Sequence, residues 1–362
     1  MSKLALMNLL GQCTPFLEAE LKTRGQSAFR GRQIAEWIYR KGASSFAEMT
    51  NLSHELRALL EENYSLDFPQ ITAHHASSDG SRKLLLQMAD GEKIEAVHLP
   101  YEGRASVCVS SQAGCAMACA FCATGLGGFR RNLTTAEIIA QPLLAARESQ
   151  GQIPTHIVFM GMGEPLLNLQ NVLPAIHLMH DEMGIAMRNI TVSTVGIIAG
   201  IEKLAEQKLQ FTLAVSLHAP EDELRHRLIP TSTKTRVVEI VRAARDFVQK
   251  TGRRVTFEYV VLGGINDRIE HAQALAKLCK GWPCHVNLIP WNAVPDASLE
   301  GMEFHAPTSN ELRRFRQILE ESGTAVTQRV QRGADVAAAC GQLRALKRDP
   351  DTQNINLVNH LN

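Results

Sequence analysis

Cys115-Ala-Met-Ala-Cys119-Ala-Phe-Cys122 sets three thiols four and then three positions apart. Thiolates are soft ligands that select zinc, copper(I) or iron-sulfur centres over magnesium or calcium. A cubane iron-sulfur cluster is usually held by four cysteines, so three leave one iron open. On a continuous helix Cys115 and Cys122 would stand about 10 Å apart along the axis, seven steps of roughly 1.5 Å, too far for a compact centre. The stretch is therefore expected to be a loop wrapped around its metal. Gly114, Gly125, Gly127 and Gly128 flank it and supply the backbone freedom such a wrap demands. Structural zinc sites also use cysteine triplets, but they commonly read as two separated pairs, and no second pair lies nearby. Spacing favours iron-sulfur over zinc.

Downstream of the loop the pattern alternates. Strand-like runs occur at 156–160, 190–194, 211–217, 255–262, 284–289 and 324–330, with amphipathic stretches between them such as 173–183 and 237–250. Such alternation predicts an α/β protein with a parallel sheet, doubly wound or barrel-like, and helices outside. Upstream, two runs at 83–88 and 93–99 flank Asp90-Gly91, whose positive φ angles suit a tight hairpin turn. Residues 1–68 read as helical, with Ile34, Trp37, Ile38 and then Leu56, Leu59, Leu60 at the three-and-four spacing of a buried stripe. The expected organisation is a helical N-terminal domain over 1–68, a linking β-hairpin segment over 69–100, the α/β unit over 101–345 and a polar tail over 346–362.

With 362 residues, 45% hydrophobic and 21% charged, the chain can bury a large core. Eight cysteines are too few for a disulfide scaffold, and their triplet spacing points to a reducing compartment. The apolar stretch 4–10 is a poor signal peptide, and no run of about 18 apolar residues suggests a membrane span. A cytoplasmic location is expected. A net charge of +1 gives no global pull toward nucleic acid, so local clusters must carry any such contact. Residues 22–41 hold Lys22, Arg24, Arg30, Arg32, Arg40 and Lys41 against one acid, Glu36; a solvated helix face explains this as well as an RNA-binding face does.

Several polar residues fall where predicted strands end, the place where parallel α/β folds gather ligands. Gly161-Met-Gly163-Glu164-Pro165 follows the run at 156–160; it reads either as an ordinary helix start or as a ligand loop whose Glu164 accepts from a cationic amine. Ser193, Ser216-Leu217-His218 and Asn292 are similarly placed, each equally a turn former or a satisfied polar group. Cys340, after three alanines and before Gly341, and Cys108, between two valines, read as packing residues on pattern alone, as do Cys13, Cys279 and Cys284. Glu95, inside a predicted strand, reads as an exposed carboxylate.

The C-x3-C-x2-C spacing with Phe121 before the last cysteine resembles the radical S-adenosylmethionine (SAM) enzymes. The runs 104–115, Phe129-Arg-Arg-Asn-Leu-Thr134, Gly161-Met-Gly-Glu-Pro-Leu-Leu-Asn168 and Ala339-Cys340-Gly-Gln-Leu343 narrow the resemblance to the RlmN family, dual-specificity ribosomal and transfer RNA adenine-C2 methyltransferases. The resemblance covers nearly all of residues 1–345. It implies a partial six-strand barrel with an accessory N-terminal domain, a 4Fe-4S cluster on Cys115, Cys119 and Cys122, and SAM held by Gly163, Glu164, Ser193, Ser216, Leu217, His218 and Asn292, two molecules per turnover. Its implied partners are 23S rRNA, tRNA and an electron donor such as flavodoxin or ferredoxin.

The resemblance also implies a reaction. Adenine C2, between two ring nitrogens, is too electron-poor to attack the methyl of SAM directly. Cys340 instead takes a methyl group from one SAM. A second SAM, split on the cluster, yields the 5′-deoxyadenosyl radical that removes hydrogen from that methyl, and the resulting carbon adds to C2. Glu95 matches the base that takes the C2 proton, and Cys108 matches the thiol that attacks Cys340 to release product, leaving a disulfide. Arg130, Arg131, Arg329 and Arg332 read either as RNA-facing cations or as surface charge. Two rivals are a C8-methylating antibiotic-resistance relative, disfavoured by Pro165, and a zinc-stabilised RNA-binding protein without catalysis.

Overall fold

The computed structural model describes residues 6–149 and 151–344; the polar tail expected over 346–362 lies outside them. All six predicted parallel strands form, as His156–Phe159, Ile190–Thr194, Thr212–Ser216, Val255–Val261, Cys284–Pro290 and Ala325–Gln328. They lie side by side in chain order, each parallel to the next. Helices cover the outside of the sheet. Val237–Thr251 turns Val237, Ile240, Val241, Ala244 and Phe247 into the core at helical spacing and ends at Gly252 in the left-handed region. Thr134 with Glu137, and Thr308 with Glu311, form capping boxes that start two other helices of this layer.

The sheet is wider than the six runs predict. Arg104–Cys108 pairs in parallel with His156–Phe159 and adds a seventh parallel strand, so the partial barrel gains a strand at its leading edge. Through it the sheet continues antiparallel into Lys93–Tyr101, Arg82–Gln87 and Gln70–Ala76, giving ten strands in one open sheet. The expected hairpin is present, with Gly91 at φ 85°. Residues 70–101 are therefore a wing of the barrel sheet. Gln70–Ala76 escaped the sequence reading because its residues are half-buried or exposed and carry two histidines.

The N-terminal helices Thr14–Thr23, Ala28–Tyr39 and His54–Asn63 bury Leu17, Leu21, Ile34, Ile38, Leu56 and Leu60. These side chains are continuous with the hydrophobic core of the barrel. Glu182 also accepts hydrogen bonds from the N–H and hydroxyl of Thr14, both at 2.8 Å, across the junction. Much of the basic run 22–41 is satisfied locally: Arg24 donates to Tyr64 and Asn63, Arg32 pairs with Glu18, and Lys41 pairs with Glu36.

After the last strand the chain returns across the antiparallel wing. Asp79 accepts from the Gly333 N–H at 2.9 Å, Asp335 from the Ser77 hydroxyl at 2.6 Å, and Lys83 donates to the Ala337 carbonyl at 3.1 Å. These bonds lay the segment carrying Cys340 over the strand ends.

Candidate active site

Cys115, Cys119 and Cys122 lie on a loop, as the spacing requires, and Cys122 precedes the short helix Ala123–Leu126. Two glycines allow close backbone approaches around the site. Gly114 has φ 76°, and a Cβ there would come within 1.9 Å of the Gly128 carbonyl oxygen. Gly163 has φ 104°, and a Cβ would collide with Gln112, whose side-chain oxygen accepts from the Glu164 N–H at 2.9 Å. Trp291 donates its indole N–H to the Phe121 carbonyl at 3.2 Å, and Ala123 donates to the Gly341 carbonyl at 2.7 Å. The cysteine loop is thus bound to the segment that carries Cys340.

The three thiols wall one cleft of about 150 Å³ at the carboxyl ends of the strands, together with Gly163, Glu164, Ser193, Ser216, His218, Asn292 and Cys340. Burial raises all three thiols, Cys115 to about 12; Cys115 and Cys119 are raised further by other cysteines of the loop, and Cys122 by Cys340. A bound metal centre would draw off these protons. The donor set, three soft sulfurs on one wall, fits an iron-sulfur cluster with an open coordination position. Among the described residues no three His, Cys, Asp or Glu side chains form a ready set for a single metal ion.

Glu164 bears out its reading as a helix start and also stands in the cleft wall. One carboxylate oxygen accepts from Leu166 at 3.0 Å, capping the turn that follows, and the other accepts from Val195 at 2.8 Å, while the side chain faces the cleft. Burial pushes its carboxyl up to about 7. His218 has φ 60° and accepts the Val260 N–H on Nδ1 at 3.0 Å, leaving Nε2 as the protonated nitrogen. Burial, then Arg225, lowers it to about 3. His218 is therefore a neutral donor at physiological pH, neither a base nor an ion. Ser193 and Ser216 face each other with their hydroxyls 3.5 Å apart.

A second cavity opens on the far side of Cys340, lined by Cys108, Tyr101, Arg329, Val330 and Arg332. Cys340 and Asn292 stand in the walls of both cavities. Asn292 donates to the Cys340 carbonyl at 2.9 Å and accepts from Gln331 at 2.7 Å, so it ties the Cys340 backbone to the wall of the cleft. Burial, then the nearby Cys340, raises the Cys108 thiol to about 12.

Two expectations meet a different outcome. Leu217 is wholly buried and lines neither cavity; its carbonyl accepts from Arg225 at 3.2 Å instead. Glu95 is 5% exposed, not an open strand carboxylate, and faces neither cavity. It pairs with Lys83 at 3.1 Å and accepts the Arg344 N–H at 2.8 Å. Arg131 is bound to Asp90 at 2.5 Å and to Glu137 at 2.8 Å, which accounts for its charge without RNA. Pattern reading missed Arg225, Glu258 and Trp291. Arg225 is fully buried beside Cys119, its guanidinium donating to the carbonyls of Leu217, Val195 and Ser216. No spacing marks it, since its role comes from strand ends distant in the chain.

Comparison with known proteins places this geometry. Residues 109–276 match the radical SAM superfamily and residues 7–66 match the ribosomal RNA large subunit methyltransferase N-terminal domain. A "Probable dual-specificity RNA methyltransferase RlmN" from Thermosynechococcus vestitus is 48% identical over 338 residues, 93% of this chain and 98% of the relative. The chain belongs to the RlmN family of radical SAM enzymes. Another RlmN relative, from Parasynechococcus marenigrum, is 48% identical over 344 residues, 93% of this chain and 98% of its own length. A crystal structure of a radical SAM methyltransferase from Sphaerobacter thermophilus superposes with a TM-score of 0.88 at 42% identity, covering 93% of this chain and 99% of that one. A 4Fe-4S cluster and SAM are the cofactors of RlmN enzymes, and the cleft walled by Cys115, Cys119, Cys122 and Glu164 suits both. Among the described residues no helix is long and apolar enough to cross a membrane.

Proposed function

We propose that the chain methylates C2 of adenine in 23S rRNA and tRNA through a methylated cysteine. One observation carries this reading: Cys340 stands in the wall shared by the cleft of the cluster thiols and the cavity of Cys108. A methyl-carrying residue must face the site where radicals are made and the site where RNA arrives. Cys340 occupies that junction.

Cys115, Cys119 and Cys122 would hold the cluster, which when bound would supply one-electron cleavage of SAM. Glu164 and the strand-end hydroxyls of Ser193 and Ser216 are the residues for holding SAM, and the neutral His218 offers an N–H without adding charge. Cys340, having lost its proton, takes the methyl group as thiolate while S-adenosylhomocysteine leaves. One hydrogen of that methyl passes to the 5′-deoxyadenosyl radical, the carbon bonds to C2, and the unpaired electron left on the ring would be returned to the cluster as the C2 proton departs. Glu95 is the proposed acceptor of the C2 proton. Its oxygens are engaged by Lys83 and the Arg344 N–H, so it acts once the segment over it shifts. Cys108 then attacks the Cys340 sulfur, a sulfur-sulfur bond forms, and the sulfur-carbon bond breaks toward RNA, where the carbon takes up a proton. An external two-electron reductant must open the disulfide before the next cycle. A cytoplasmic location and a flavodoxin- or ferredoxin-like electron donor accord with these requirements.

Anaerobic turnover of the reconstituted enzyme with rRNA and tRNA fragments, followed by digestion and mass analysis of nucleosides, tests the reading. The expected product is 2-methyladenosine. An 8-methyl product overturns the choice of carbon, and zinc-loaded, colourless protein without 5′-deoxyadenosine formation overturns the reaction class.

A further inference from the structure

Val330 is 80% exposed, against 53% for Val238, the next most exposed large hydrophobic side chain among the described residues. A single exposed valine is ordinary on a protein surface. This one stands in the wall of the cavity that holds Cys108 and Cys340. Both of its chain neighbours are pinned. Arg329 donates its backbone N–H to Leu288 at 2.8 Å and points its guanidinium at the Met160 sulfur, 3.7 Å away. Gln331 donates its side-chain amide to Asn292 at 2.7 Å. The valine is therefore displayed on a fixed ridge at the cavity mouth.

The same rim holds cations in place. Tyr101 lies between two guanidinium groups, those of Arg104 and Arg332, each 4.4 Å from the ring centroid. Arg332 is fixed further by donating to the Pro100 carbonyl at 2.7 Å. Arg104 is exposed.

An adenine in an RNA loop is stacked on its neighbours, and its C2 edge cannot reach thiols inside a cavity until the base is pulled out. Nucleic-acid proteins that disturb a stack insert apolar side chains between bases, while guanidinium groups hold the phosphates. We propose that Val330 is such a wedge, filling the place the target adenine leaves in the stack of a single-stranded RNA loop, while Arg104 and Arg332 hold the flanking phosphates. This rests on the reading of the chain as an RNA adenine methyltransferase.

The test uses reconstituted holoenzyme and an RNA hairpin whose target adenine is replaced by 2-aminopurine, which carries an amino group at C2 and brightens when unstacked. Wild-type protein is expected to raise the fluorescence. Val330→Ser, at saturating protein, is expected to give a rise smaller by about fivefold, the scale of losing about one buried methyl group, while Val330→Leu keeps it. Iron content and thermal unfolding of Val330→Ser should match wild type, since the side chain is exposed. Arg104→Ala and Arg332→Ala are expected to weaken binding and each lower the salt dependence by about one counterion. An equal fluorescence rise for wild type and Val330→Ser overturns the wedge. If wild type methylates the unmodified hairpin yet leaves 2-aminopurine dark, the wedge falls and the methyltransferase reading stands. If no RNA is methylated, that reading falls first and the wedge with it.

Discussion

On one side of Cys340 the cavity wall holds the three thiols of the cysteine loop, Phe121, Phe159 and Trp291, and its ionisable groups are held toward neutrality: burial raises Glu164 to about 7 and lowers His218 to about 3. On the other side the wall holds Arg329 and Arg332 beside Tyr101, with Cys108 at its base. The first chamber is lined mainly by apolar surface, which suits reactive carbon radicals that stray protons would quench. The second is cationic, which suits a polyanionic substrate. A residue in the wall between two such environments, as Cys340 is beside Met160, Ile289 and Asn292, can carry a carbon atom from one to the other.

The largest effect should come from removing the junction itself. Cys340→Ala is expected to abolish RNA methylation and any covalent RNA adduct, while leaving the iron content unchanged. Mass analysis of digested RNA and metal analysis check both halves. Methylated RNA from this variant would mean the two cavities are not linked through Cys340. Cys108→Ala alters only the second chamber. It should allow the carbon-carbon bond to form and then stop, so that RNA stays attached to protein and migrates with it under denaturing conditions. Absence of that species would remove Cys108 from the resolving role.

The two chambers were unequally legible in the sequence. The cluster loop announced itself because its ligands lie within eight residues, and spacing alone excluded a helix. The strand runs were equally plain, since parallel strands buried on both faces are nearly continuous in apolar residues. Arg104–Cys108 was hidden by its shortness and its mixed composition, and with it the seventh parallel strand. Cys108 and Cys340 could be paired only by resemblance, because 232 positions separate them and each reads as small core packing. Glu95 failed the rule that strand glutamates are exposed because Lys83, on the neighbouring strand, compensates it inside the wing. Leu217 shows the reverse case. It belongs to a motif whose neighbours face the cleft, yet strand alternation turns it into the core.

A smaller effect, confined to the second chamber, should appear in pH dependence. Burial and the neighbouring Cys340 raise the Cys108 thiol above its ordinary value to about 12. At neutral pH it is therefore protonated, and its thiolate fraction grows with pH. Resolution of the RNA adduct, followed by rapid quench after a pH jump, should accelerate about tenfold per pH unit from 7 to 9. A flat profile would mean that a neighbouring base takes the Cys108 proton within the complex.

The smallest effect belongs to the first chamber. Trp291→Phe keeps the aromatic packing and removes the indole donor to the Phe121 carbonyl, one residue before Cys122. Losing one hydrogen bond to a buried carbonyl costs about 1 kcal/mol. The cluster loop should then open roughly fivefold more readily, read as faster iron loss to a chelator under anaerobic conditions. Resolution of the RNA adduct should be untouched, because Trp291 does not line the second cavity. A variant that slows resolution while retaining iron would show that the chambers communicate through more than Cys340. Tight coupling of that kind would come through Gly341, whose carbonyl accepts from Ala123 at the start of the helix that follows the cluster loop.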